Sequence, residues 1–466
     1  MKINNCYAPF LLLLVAPPVY SQIIITNKQF SMGTTGRIGA GISPSIPGLT
    51  GRQLNLNGQG SLGSRLEQGD YVDLLPSFHF RAVNADNDST KIDFQARLAY
   101  YSTQGTNLGN VNSRSVGGTV SSLPEAFAEV RNIVGSQWSA WAGARYMRYD
   151  DIHICDYFYF DDHSTTGFGV KYRNTSFSMY FPSVIDTTSR GTLPYSYSNI
   201  ITGGGGFTYR QREIAVLEHE IKRWQGHTIK LLAEYHYVAS SGRDALPYYP
   251  TDQGWVAGIK WTSPVRTLRK GSFNQLSVRY GSGVANGGDN GSTQTWLTFG
   301  APDPVTQRYT GAYSLTAVEH VLLNLSSRLS LNGYSVFTRS KGGGSASGEA
   351  KDYYNRTVTN FKRDWVSGVR AIGYVTNWFH IISELHYAER TDGNNPKATM
   401  LKWVLAPTLV PTAARDPWAR PHIRLIFSLA RYNTYAMEHA YSPFLSYAGN
   451  KRWGSYLGVR AEWWIF

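Results

Sequence analysis

An alternation of apolar and polar residues recurs along the chain and limits its fold more than any other feature. The clearest runs cover Ile92–Tyr100, Ile229–Tyr237, Leu276–Tyr280, Ile423–Leu429 and Leu457–Ile465. A period of two with one apolar face is typical of β-strands. The runs approach the ~9–11 residues that a tilted strand needs to cross the hydrocarbon of a bilayer. The pattern predicts an all-β fold, a transmembrane antiparallel β-barrel.

The composition agrees with a barrel that lies in a membrane. The chain has 46 glycines and 14% aromatic residues, but its mean hydropathy is only −0.30. This balance is expected when half of each strand faces lipid and half faces water. Neither a repeat of fixed length nor a change of composition divides the chain. With ~25 residues per strand and loop, we expect one domain with well over a dozen strands around an aqueous pore instead of a packed interior.

The N-terminus has the features of a secretory signal peptide. Lys2 supplies a positive charge, residues 9–15 form a short apolar core, and residues 19–21 form a cleavage site. We therefore predict a signal peptide over residues 1–21 and the barrel over residues 22–466, in the outer membrane of a Gram-negative cell. Cys6 would leave with the signal, so Cys155 is expected to remain single, without an intrachain disulfide.

The formal net charge of +13 raises the question of an anionic partner. Basic residues are scattered singly along the predicted strands and form no run, which argues against nucleic acid. We expect the arginines to line a wet lumen and to bind lipid and lipopolysaccharide at the rim. The sequence contains no cofactor motif, and no nucleophile motif accompanies the histidines, so an enzyme is not expected.

One short stretch, Trp141–Asp162, combines acidic and aromatic side chains. It starts as an alternating strand and then mixes five aspartates with tyrosines and phenylalanines. We interpret such a mixture as poor core and as a good lining for sugars, because carboxylates accept hydrogen bonds from hydroxyls and ring faces stack on pyranose C–H groups.

The alternation of residues in the last strand predicts which of its faces points into the barrel. Leu457, Val459 and the residues that alternate with them are uncharged, whereas the opposite face carries Arg460 and Glu462. Because a charge facing lipid costs ~2–4 kcal/mol near the bilayer midplane, the charged face must be the inner one. Trp464 shares that face and is predicted to point into the lumen.

These residues resemble the maltoporin, or sugar porin, family. The resemblance is carried by Trp141–Asp161, by Trp418–Pro421 with Ile423 and Arg424, by Phe273–Tyr280, by Gly458–Trp464 with Glu462, and by the Arg37 strand and Glu67–Leu74. It implies a trimer of 18-stranded antiparallel barrels in the outer membrane. It also implies a third loop that folds inward and narrows the pore.

The resemblance further implies a line of lumen aromatics, the greasy slide, flanked by polar tracks that hydrogen-bond to sugar hydroxyls. The positions that match the slide are Tyr71, Phe273, Trp418 and Trp464, and those that match the tracks are Arg37, Asp73, Asp151 and Asp156. A track arginine of the third loop falls on Tyr149, with Arg148 beside it, and the tyrosine at the constriction corresponds to Phe158, which keeps the ring without the hydroxyl. Thr35 replaces the first slide aromatic, Pro124 replaces another track arginine, and the loop after Tyr101 has no match to the tryptophan that a neighbouring subunit contributes. We therefore expect an oligosaccharide channel with a different or broader range of saccharides than maltodextrins.

Other readings stay open. The positive charge and the lost slide positions favour a general or anion-preferring diffusion porin without sugar selectivity. A surface receptor that acts through its loops is a third class. Asp151, His153 and Asp156 have metal-binding side chains, but their spacing fits no standard site, so no metal is expected.

Overall fold

The structure is a computed structural model, and it describes residues 25–26, 29–48, 50–67, 69–81, 89–102, 119–182, 212–222, 226–240, 250–287, 294–352 and 357–465. The predicted signal peptide, the glycine run at residues 203–206, which the sequence predicts to be a turn, and most of the loop that follows Tyr101 lie outside these residues.

Eighteen antiparallel strands form the wall. They are β1 Phe30–Ile42, β2 Tyr71–Arg81, β3 Lys91–Ser102, β4 Thr119–Arg131, β5 Trp138–Arg145, β6 Thr165–Tyr172, β7 Thr175–Tyr180, β8 Arg212–Lys222, β9 Thr228–Val238, β10 Asp252–Pro264, β11 Phe273–Gly283, β12 Tyr313–Asn324, β13 Leu329–Lys341, β14 Phe361–Tyr374, β15 Phe379–Asp392, β16 Ala398–Leu409, β17 His422–Tyr432 and β18 Trp453–Ile465. Each strand pairs with the next, and β1 pairs with β18 from Thr34↔Ile465 to Ile42↔Leu457. The sheet is therefore closed and has no free edge, which confirms the predicted barrel.

A few short elements accompany the barrel. Ile25–Thr26 pairs with β1, Glu349–Lys351 pairs with Thr357–Thr359, and Ile133–Gly135 forms a 3₁₀ turn between β4 and β5. Two helices of about one turn, α1 Thr434–Glu438 and α2 Leu445–Ala448, lie between β17 and β18. None of the described helices has the length and apolar character needed to cross a bilayer.

The strands present the faces that their alternation predicts. In β11, Leu276 and Val278 are 42% and 40% exposed on the outside of the barrel, whereas Ser277 and Arg279 are buried on the inside. Trp464 also lies on the inner face, where the guanidinium of Arg420 lies 4.3 Å from its ring centre. The predicted orientation of β18 is therefore correct.

Much of the interior is packed, and the expectation of an aqueous pore in place of a packed interior is wrong for that part. One hydrophobic cluster joins inward residues of β8, β9 and β12–β17, such as Val336 and Ile426, to Leu54 and Leu66 between β1 and β2 and to Ile154 between β5 and β6. Among the described residues, β1–β4 contribute nothing to this cluster. Two connecting loops fill one side of the barrel, which strand counting could not anticipate.

Candidate functional site along the lumen

The loop between β5 and β6, residues 146–164, folds into the barrel as predicted, and we call it L3. Its middle forms a small hairpin in which Asp151–Ile152 pairs with Tyr157–Phe158. The hairpin turns at Asp156, which has a φ of 50°, a left-handed conformation that aspartate adopts more easily than most residues. Hydrogen bonds from Cys155 N to Ile152 O at 2.9 Å and from Tyr159 N to Asp150 O at 2.9 Å hold the loop in shape.

One flank of L3 is attached to β8–β11 through buried ion pairs. Lys230 on β9 pairs with Asp161 of L3 and lies 2.7 Å from Glu218, and Lys260 on β10 pairs with Asp150. Close packing supports these pairs, because a Cβ at Gly258 would lie 3.0 Å from the ring of Phe160. The flank is therefore fixed by both charge and shape.

The other flank is attached through the loop between β1 and β2, residues 43–70, which we call L1. Arg65 of L1 donates its backbone N–H to Ile154 O at 3.2 Å, and its guanidinium pairs with Asp156 at 2.8 Å and with Glu462 of β18 at 2.6 Å. Arg65 is almost fully buried. L1 thus links L3 to the wall, a role that sequence reasoning did not assign to it.

Glu462 is the centre of this attachment. Besides Arg65, its carboxylate accepts hydrogen bonds from Arg420 at 3.2 Å, Arg424 at 3.1 Å and His422 at 3.1 Å. All five side chains are buried. A carboxylate shared by three guanidinium groups is strongly stabilised as the anion, and its loss would leave several cations uncompensated.

His153 of L3 joins this cluster to two lumen tryptophans. Its Nε2 accepts hydrogen bonds from Arg65 at 2.7 Å and from Arg420, so the ring is neutral and its proton lies on Nδ1, 3.5 Å from Asp151. The ring packs edge-on against Trp418 and Trp464, with centre distances of 5.2 and 4.5 Å. Burial and the two guanidinium groups hold the pKa of His153 well below its usual value.

The three metal-binding side chains named from the sequence do come together. Donor atoms of Asp151, His153 and Asp156 lie within 4.8 Å of one another. However, Nε2 of His153 already accepts from two arginines, and Asp156 accepts from Arg37 at 3.3 Å and from Arg65. The surrounding guanidinium groups repel a cation, so this chemistry suits an arginine-bound hairpin better than a metal.

The candidate slide residues occupy two places. Trp418 lies in the connection between β16 and β17, and both it and Trp464 contact the ring of His153. The register between β18 and β1 places Thr35 beside Trp464. Tyr71 lies under the guanidinium of Arg37 at 5.3 Å. Phe273 is apart from them, packed edge-on against His320 at 5.1 Å. No described ring joins Phe273 to the tryptophans.

The candidate track residues surround Tyr71 and the hairpin. Arg37 bridges β1 to Asp156, and Asp73 on β2 pairs with Arg97 of β3 at 2.8 Å and accepts a hydrogen bond from Thr35 at 3.2 Å. Pro124 lies in β4 where the β3–β4 register slips, and a residue without an N–H is suited to such an irregularity.

A cavity of about 470 Å³ lies between L3 and β2–β5. Four arginines and three carboxylates line it, namely Arg97, Arg131, Arg145, Arg148, Asp93, Glu125 and Glu129. Each carboxylate pairs with an arginine: Glu125 with Arg97 at 3.1 Å, Glu129 with Arg145 at 3.2 Å, and Asp93 with Arg131.

L3 presents planar groups to this cavity. The guanidinium of Arg148 lies 4.2 Å from the ring centre of Tyr146 and 4.4 Å from that of Phe158, and Arg97 lies 4.8 Å from Tyr146. Tyr149 is 61% exposed at the rim. Arg97 and Tyr146 were missed by sequence reasoning. The inward parity of Arg97 on β3 was readable, whereas Tyr146 follows the end of β5 and continues no inward pattern.

The interpretation of Trp141–Asp162 as poor core is wrong for the second half of the stretch. Ile152, Ile154, Cys155, Tyr157, Tyr159, Phe160 and Asp161 are all buried. The acidic groups are neutralised by Lys230, Lys260 and Arg65, which allows the aromatic residues to pack as a core between L1 and the wall. Only the start of the loop and Phe158 border the cavity.

A closed 18-strand barrel with a charged, aromatic lumen and an inserted loop defines a porin-type channel of the outer membrane. The family model described as LamB porin matches residues 30–464, and the chain belongs to this family. This is the maltoporin family that the sequence resembles.

Three solved outer-membrane protein structures show a remote likeness to this chain. OmpF of Salmonella typhi, in complex with daunomycin, is 8% identical over 95% of this chain and 100% of its own, with a TM-score of 0.41. OmpT of Vibrio cholerae, folded in vitro, is 8% identical over 95% and 100%, with a TM-score of 0.35. Its trimer form is 7% identical over 94% and 99%, also at 0.35. No curated protein sequence matches this chain.

Proposed function

We propose that this channel conducts oligosaccharides by facilitated diffusion, with ring stacking along the lumen and hydrogen bonding by the polar tracks. The observation that carries the proposal is the pair of inward indoles, Trp418 and Trp464, beside Arg37, Asp156 and Tyr71. A purely aqueous filter has no need of indole rings beside charged hydrogen-bonding groups. Stacking of order ~1 kcal/mol per ring favours entry without preventing release.

The wider proposal follows the resemblance. Residues 1–21 would be a cleaved signal peptide and residues 22–466 one porin domain that assembles as a homotrimer in contact with outer-membrane lipid and lipopolysaccharide. Tyr71, Phe273, Trp418 and Trp464 would form the stacking line, while Arg37, Asp73, Arg148, Tyr149, Asp151, Asp156 and Phe158 would form the constriction and tracks.

The test is a titration of maltotriose against purified protein in a planar bilayer. We expect saturable block of the ion current, and we expect Trp418→Ala to weaken the block by roughly fivefold, because one stacking contact of ~1 kcal/mol is lost. Trp403→Ala is the matched control, since Trp403 is 39% exposed on the outer face and donates to Ser383 at 3.1 Å. A current indifferent to maltotriose and to other neutral and acidic oligosaccharides would instead identify a general or anion-preferring porin.

A further inference from the structure

Arg148 differs from the other cations around the cavity. Arg97, Arg131 and Arg145 each pair with a carboxylate, but among the described residues Arg148 forms no ion pair and no hydrogen bond to a protein group. Its contacts are the rings of Tyr146 and Phe158. Arg97 also pairs with Asp73, which lies outside the lining, so Arg148 is distinguished by its lack of a carboxylate partner and not by the net charge of the cavity.

The surroundings of Arg148 keep that charge available. Asp151 is the nearby acid, and it lies 3.5 Å from Nδ1 of His153 without forming an ion pair with Arg148. Desolvation and the adjacent Asp156 carboxylate raise the pKa of its carboxyl, while Arg65 and Arg148 oppose that shift. Asp156 itself pairs with Arg65 and Arg37. Neither acid is therefore an ion-pair partner of Arg148.

The stacking also decides which directions stay open for a ligand. Guanidinium groups commonly stack flat on aromatic rings, which leaves their N–H groups available in the guanidinium plane, and the two close ring contacts of Arg148 suit this arrangement. Those N–H groups form a rigid fork that matches the two oxygens of a carboxylate. A hydroxyl can use only one arm of such a fork.

Resting on the saccharide function proposed above, we propose that the channel prefers acidic oligosaccharides and that Arg148, held between Tyr146 and Phe158, binds the carboxylate of a uronate residue as it passes L3. The arginines of β3–β5 neutralise the three carboxylates of the lining. The cavity is large enough for about one or two sugar rings at a time, so one carboxylate can reach the fork while a neighbouring ring lies beside Tyr149.

The first experiment leaves the protein unchanged and alters the solute. Block of the ion current in a planar bilayer is titrated with trigalacturonate, with its methyl ester and with maltotriose. We expect the acid to block about 10-fold more tightly than the ester, which has the same size but no charge. Equal block by acid and ester would overturn the inference.

The second experiment changes Arg148. We expect Arg148→Gln to reduce block by trigalacturonate about 10-fold and to reduce block by maltotriose by a smaller factor, because a hydroxyl uses only one arm of the fork. Arg148→Lys retains the charge but lacks the fork, so it should recover only part of the loss; full recovery would overturn the bidentate geometry. Arg173→Gln is the control, because Arg173 also stacks on a tyrosine, Tyr172 at 5.1 Å, but lies in the β6–β7 turn.

The two proposals fail in different ways. If maltotriose and the ester block saturably and the acid does no better, the saccharide channel stands and the role of Arg148 is refuted. If none of the three solutes blocks, the saccharide channel itself is refuted. If the acid alone blocks, and Arg148→Gln abolishes that block, the preference for acidic saccharides is supported.

Discussion

The two sides of L3 differ in how their charges are satisfied. On the side of β8–β18, the loop is buried against L1 and the wall, and Asp150, Asp156 and Asp161 all have cationic partners. On the side of β2–β5, Arg148 and Tyr149 border an open cavity. The same loop therefore combines an anchored side, which sets its position, with an open side, which is free to meet a solute.

The difference has an energetic consequence. A buried ion pair contributes little when compared with a well-packed apolar pair, but the removal of one partner costs about 3–5 kcal/mol. Groups on the anchored side should therefore be sensitive to single substitutions in unfolding experiments. Groups on the open side should affect conduction and leave unfolding unchanged.

The largest effect is expected on the anchored side, at Glu462. Glu462→Gln removes the one carboxylate that three arginines and His422 share, so we expect the free energy of unfolding to fall by about 3–5 kcal/mol. Denaturant unfolding in detergent measures this change. Glu438→Gln, on the exposed surface of α1, is the control and should change it by less than about 0.5 kcal/mol. A loss at Glu462 no larger than the control's would mean that the cluster does not hold the loops.

A smaller change in the free energy of unfolding is expected when the pH is lowered, through His153 in the same cluster. The pKa of His153 is far below 6.5 in the folded protein. Below pH 6.5 the unfolded chain therefore binds a proton that the folded chain does not bind. Stability then falls as pH falls, by about 1.4 kcal/mol per unit, or roughly 2 kcal/mol between pH 6.5 and pH 5. Denaturant unfolding at pH 7 and pH 5 should show this loss.

The comparison with His153→Gln isolates the contribution of this residue to the pH dependence. Glutamine retains an acceptor for Arg65 and Arg420 but does not titrate. The free energy of unfolding of the His153→Gln protein should therefore fall between pH 7 and pH 5 by roughly 2 kcal/mol less than that of the unchanged protein. An identical pH dependence in both proteins would show that His153 is protonated, or solvated, in the folded state.

The smallest effect on stability is expected on the open side. Tyr149→Ala removes a ring that is 61% exposed, so the free energy of unfolding should change by less than about 0.5 kcal/mol, whereas single-channel conductance should rise as the rim widens. Tyr447→Ala is the matched control, with the same exposure in α2 and away from L3. A conductance that rises no more for Tyr149→Ala than for Tyr447→Ala would remove Tyr149 from the constriction.

The wall was predictable from the sequence and the interior was not. Alternation identifies inward residues one strand at a time, as it did for Trp464, Arg279 and Ser277. It does not tell which inward residues meet a loop: Lys230 and Lys260 look like ordinary lumen lysines, yet they bind the aspartates of L3. The resemblance implied that the third loop, L3, folds into the barrel. It did not imply that L1 also does so, with Arg65 joining L3 to β18.

The sequence by itself determined the closed antiparallel barrel and the face of each strand that meets lipid, because the lipid side tolerates no unsatisfied charge and the pattern must therefore be written into every strand. Only the tertiary structure decided which charged side chains form ion pairs within the protein and which arginine of the cavity has no carboxylate partner. Ion pairs such as Arg65 with Glu462 join residues that are distant in the chain, and their pairing depends on how the loops pack. The resemblance singled out Arg148 as a track position, but only that packing shows that Arg145 has a carboxylate partner and Arg148 has none.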